Sequence, residues 1–219
     1  MRAVWAALAV TALAVSGWAQ SAPPASAVFK ADFSNPATSP SRWTLTLHPD
    51  GRGHFRSVMG PDPASSEEMV VPDVDRDIQV STGFAERVFQ IAQRHKYFNE
   101  PCDSRLKVAF QGWKTFSYSG PDGNGSCRFN YSKDKQIQAL ESSLEAVVQT
   151  ILEGERLKMY LEHDRLGLDR EMGFLVDAAK DGRAQQICTI RSILERLADD
   201  PDVMERVRKG ARDLLARAD

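Results

Sequence analysis

Asp73, Asp75 and Asp77 recur at every second position, the spacing at which the first carboxylates of a calcium loop converge on one ion. The sixth position of such a loop turns on glycine and the twelfth supplies a bidentate glutamate; here they are Ile78 and Phe84. An EF-hand is therefore excluded, and an irregular calcium loop is the one metal candidate. The four histidines, His48, His54, His95 and His163, have no partner at helical ligand spacing, and Cys-x-x-Cys is absent, so neither a zinc site nor a cysteine protease dyad is visible. Gly123-Asn124-Gly125-Ser126-Cys127 approaches the nucleophile elbow of serine hydrolases but lacks the second glycine and enters a strand pattern rather than a helix. Carboxylate pairs for glycoside hydrolysis need only meet in space, and nothing marks one pair among the 30 acids. No cofactor is implied. Trp113, Phe116, Tyr118, Phe129 and Tyr131 form the densest aromatic set. Alternate residues of a hairpin share one face, so several of these rings must line up, either as core beneath a helix or as an exposed platform for peptide or glycan.

The elements that would position these residues fall into two blocks. Trp43, Leu45 and Leu47 alternate with threonines, and turn chemistry at His48-Pro49-Asp50-Gly51-Arg52-Gly53 leads into a second strand-like run, His54 to Met59, which together predict a hairpin. Asp77 to Ser81 reads as a short third strand. Ser81 or Thr82 can cap a helix running to about Phe98, with Phe84, Val88, Ile91 and His95 on one face. Leu106 to Phe110 is strand-like, and the runs around Phe116-Tyr118 and Cys127-Phe129-Tyr131 flank a glycine-rich turn as a second hairpin. From Lys133 the period changes to about 3.6, predicting helices at Lys133–His163, Asp169–Ala179, Arg183–Ala198 and Pro201–Ala216, the last capped by Asp200 with Pro201 in its first turn.

Ahead of both blocks, Arg2 precedes an apolar run from Ala3 to Val15 and a small-residue exit at Gly17 to Ala19, the three zones of a secretory signal peptide spanning residues 1–19. About a dozen apolar residues fall short of the roughly 20 that span the hydrocarbon core. No cysteine follows the run directly, so no lipid anchor is expected, and no later segment predicts a transmembrane helix in the mature form. Residues 20–41, rich in Ala, Ser and Pro, read as a linker. Export to the periplasm or beyond implies an oxidising compartment, where Cys102 and Cys127 are the favoured disulfide, pinning an α+β domain at 42–132. Cys188 is left over in the helical unit at 133–219, either as a partly buried small residue or as a reactive or intermolecular thiol.

Losing Arg2 with the signal takes the formal charge from −2 to −3, too balanced to predict nucleic acid as partner. The last two predicted helices, with Asp200-Pro201-Asp202, Val203, Val207-Arg208, Ala211 and Leu214-Leu215, resemble a single HEAT-type helical pair over about 35 residues. The resemblance implies a helix-packing surface used for protein contacts. As a whole the chain resembles exported bacterial proteins of unknown function with a small α+β domain, which implies no activity. The sequence thus predicts an α+β fold: an antiparallel sheet of about five strands under one helix, then an α-helical C-terminal unit. The function expected is a non-catalytic protein-interaction module of the cell envelope with a protein partner. The alternatives are an envelope hydrolase acting on peptide or glycan through acids between sheet and helices, and a calcium-stabilised structural domain.

Overall fold

The computed structural model describes residues 27–61 and 69–218. The expected signal peptide and residues 20–26 of the expected linker lie outside the described residues. Six strands form one antiparallel sheet, β1 (Val28–Ser34), β2 (Arg42–Leu47), β3 (Arg52–Val58), β4 (Val74–Gln79), β5 (Trp113–Gly120) and β6 (Gly123–Phe129), in the spatial order β4-β3-β2-β1-β5-β6. Helix α1 (Thr82–Arg94) follows β4, and α2 (Lys135–His163), α3 (Leu168–Lys180), α4 (Arg191–Asp199) and α5 (Glu205–Leu215) follow the sheet. The α+β class and the helical C-terminal part are those expected.

β1 corrects the reading of 20–41 as a linker. It occupies the middle of the sheet, paired with β2 on one side and β5 on the other. Phe29 and Ala31 are buried, Phe33 packs on the same core, and Lys30 points to the other face. The period-two alternation is present in the sequence, but alanine is a weak apolar signal and Ser and Pro flank the run on both sides.

A second correction concerns Leu106–Phe110, which joins no strand. Its backbone groups are taken locally: the Val108 N–H donates to the Leu106 carbonyl, and the Asn130 side chain accepts from the Gln111 N–H and donates to the Ala109 carbonyl. Near the C-terminus, Gly182 and Gln186 both have positive φ and end the expected Arg183 helix before it starts, so a 3-10 turn at Ile187–Ile190 leads into α4. Asp200 does not cap a helix with Pro201 in its first turn. Its backbone is extended, as a residue before proline prefers, and its carboxylate accepts from the Asp202 N–H, so α5 begins only at Glu205.

The inner sheet face carries Phe29, Leu45, Phe55, Phe116 and Phe129 under α1 and the first half of α2. A second core gathers Leu157, Tyr160, Leu168, Leu175, Leu194, Leu197 and Val207 from α2 to α5. The helix α2 runs through both, so the expected boundary at 132/133 does not separate two cores. At Gly154, between them, a Cβ would lie 2.3 Å from Cγ2 of Ile190, so glycine is needed for the turn before α4 to lie against α2.

Candidate functional site

Cys102 and Cys127 form the expected disulfide. It ties β6 to the chain after α1, and Asp103 continues the anchoring: its carboxylate accepts from the Arg105 and Asn130 N–H groups. Those backbone donors, Arg105 first, hold the Asp103 carboxyl below the usual carboxylate range. The segment from Arg105 to Gln111 is thus fastened at both ends yet exposed throughout.

This segment carries a run of exposed apolar side chains close together in the chain, whereas Leu166 and Phe174, exposed as well, lie in the helical part. Leu106 is 49%, Val108 38% and Phe110 53% exposed, and Phe110 meets Trp113, itself 40% exposed, edge to face at 5.9 Å between ring centres. The Arg128 guanidinium lies over the Trp113 ring at 4.4 Å, a cation–π contact that fixes the ring on the outer sheet face. Beside it runs β6, an edge strand whose far side pairs with no strand among the described residues. The opposite edge, β4, is covered: Arg76 donates to the Thr189 carbonyl, the Cys188 thiol to the Gln79 carbonyl, and the Ser81 N–H to Gln186.

The five aromatics singled out in the sequence do not share one face. Phe116, Tyr118 and Phe129 are buried in the core, whereas Trp113 lies on the opposite face by odd–even parity and Tyr131 falls beyond the end of β6. The sequence missed Phe110 as Trp113's partner. It also missed Lys114, which shares the inner face, is 3% exposed, and pairs with Glu141 at 2.6 Å while donating to the Asn130 carbonyl. A lysine inside a strand pattern gives no sign that its ammonium is neutralised from a distant helix.

Asp73, Asp75 and Asp77 do not converge. Asp73 accepts from the Met59 N–H, while Asp75 and Asp77 grip the ring of His54, one nitrogen each at 2.8 Å. The Asp77 hydrogen bond, more than that of Asp75, raises the His54 pKa. Among the described residues no group of three or more His, Cys, Asp or Glu side chains is placed to hold a metal ion. Cys188 is half-buried, and burial pushes its thiol up, away from the thiolate that a reactive cysteine needs.

Acids do meet in the interior. Glu153 and Glu171, 6% and 1% exposed, share the Arg156 guanidinium at 3.0 and 3.1 Å, and Gln149 donates to Glu153. Burial, then the Glu171 hydrogen bond, pushes Glu153 up to about 8. A separate cavity of about 440 Å³ beside the disulfide is lined by His95, Glu100, Asp103, Ser132, Lys133 and Asp134. Its Asp134 is committed to capping α2, accepting from the Gln136 and Ile137 N–H groups. The sequence matches no protein-family model and no curated protein.

Proposed function

We propose that the protein is a protein-interaction module of the cell envelope that docks an extended segment of a partner protein along β6 and the Phe110–Trp113 surface. One observation supports this reading above the others: four large apolar side chains stand exposed on a backbone that a disulfide, Asp103 and Asn130 hold in place. An exposed apolar patch rimmed by charge marks interaction surfaces, and fixing it beforehand lowers the entropy lost on binding. β6 pairs with no strand beyond β5 among the described residues, and with Tyr97 and Asn99 against Gly123 and Gly125, the added segment would meet that edge from the Arg128 side. Arg105, Lys107 and Arg128 around the patch favour a partner segment that alternates apolar and acidic residues. The disulfide fits a chain exported by its N-terminal apolar run.

A hydrolase needs acids converging in an open cleft. Glu153, the acid pushed up farthest, is buried and does not line the cavity beside the disulfide.

A photo-cross-linking residue at position 110, compared with one at Thr46 on the outer sheet face, tests the reading in the native host. One protein adduct from position 110 alone, lost on Arg128→Glu, is expected. Equal labelling from both positions, or none, overturns it.

A further inference from the structure

Where β4, α2 and α4 meet, Arg76, Glu155, Lys158, Ser192 and Arg196 surround a cavity of about 260 Å³ floored by Gly154, Ile190 and Ile193. Three cations and one carboxylate line it, a local excess of two positive charges on a chain that is slightly acidic overall. Glu155 answers only Arg76, at 3.3 Å from Nε. The side chains of Lys158 and Arg196 take part in no ion pair or hydrogen bond among the described residues. The Arg76 Nε is buried and makes no hydrogen bond, its contact with Glu155 being ionic only, although the Arg76 Nη2 donates to the Thr189 carbonyl and fixes the guanidinium in the wall. Ser192 and Ile193 belong to the first turn of α4, whose N-cap, Ile190, makes no side-chain capping bond, so the positive end of that helix adds to the same field.

Three cations left with one carboxylate in a concave junction repel one another, and an anion that fits the cavity relieves that repulsion. We propose that this cavity binds a phosphate group, with Arg196 and Lys158 closing on its oxygens, the Ser192 hydroxyl donating to it, and Arg76 supplying the fixed guanidinium. A phosphate suits the set because its several acceptor oxygens can serve a fork-shaped guanidinium and a point-charge ammonium together. The apolar floor of Ile190 and Ile193 leaves room for the organic part of a small phosphate ester. The site is independent of the Phe110–Trp113 surface, which lies at the other edge of the sheet.

Inorganic phosphate and glycerol phosphate, titrated separately into the full mature chain at constant ionic strength, test the proposal by calorimetry and by thermal melting. A saturable rise in Tm with at least one of them is expected; preference for the ester identifies an esterified ligand, preference for inorganic phosphate a free one. Lys158→Gln with Arg196→Gln, both on exposed side chains, should weaken the Kd by about ten-fold or more, while Lys107→Gln leaves it unchanged. A matching rise from chloride, no saturation with either ligand, or full affinity in the double variant overturns the proposal.

Discussion

Glu153 reports how a buried charge couples this fold to pH. Its carboxyl lies beside that of Glu171 with a single guanidinium between them, and burial raises it from 4.5 to about 8. A carboxyl raised in the folded state keeps a proton that the unfolded chain releases, so its contribution is fully favourable below about 4.5 and declines as pH rises towards 8. Glu153→Gln keeps the shape and one acceptor oxygen for Arg156 and Gln149, without the titration. It is expected to flatten the loss of stability between these limits and to raise Tm at pH 8 by about 2–4 °C for each kcal/mol recovered, with little change at pH 5. Melting curves of both proteins across that range check this, and parallel pH profiles would refute it. Arg156 could be read as one more charge on a solvated helix face; only the folding back of α3 onto α2 brings Glu171 to it.

At the scale of elements, the segment between α1 and β5 shows what a covalent tie does for a loop. Its composition is strand-like, yet no strand receives it, because Asn130 and Asp103 take its backbone groups and the Cys102–Cys127 bridge fixes where it starts. Replacing both cysteines with serine is expected to cost about 3–4 kcal/mol through the freed unfolded chain and to abolish the adduct from position 110. Urea unfolding of the double variant measures the first effect; an unchanged midpoint and an unchanged adduct would sink this account. Much of this level was legible in the sequence: the β2–β3 and β5–β6 hairpins, the Ser81 cap and the long stripe of α2 all follow from period and capping chemistry. β1 was not, because its alternation is written partly in alanine between Pro-rich flanks. The start of α5 was not either, because Asp200 and Pro201 fit a helix start and a turn equally well.

For the whole molecule, α2 is the decisive member. Ile137 to Leu152 complete the sheet core, and Leu157, Tyr160 and Leu161 enter the helical one. An unbroken helix shared by two cores is expected to couple them into one cooperative unit, so calorimetry of the protein should give a single transition with equal calorimetric and van't Hoff enthalpies. Two resolved transitions would show that the helical unit melts independently. By itself the sequence determined the α+β class, the disulfide pair and most of the elements, since these depend on residues close in the chain or on a periodicity that one segment carries alone. Tertiary structure alone decided that β1 fills the centre of the sheet, that Trp113 parts from the buried aromatics to join Phe110 and Arg128, and that Arg76, Lys158 and Arg196 line one cavity. Each of these depends on which segment packs against which, and that is set by long-range burial and pairing that no local pattern records.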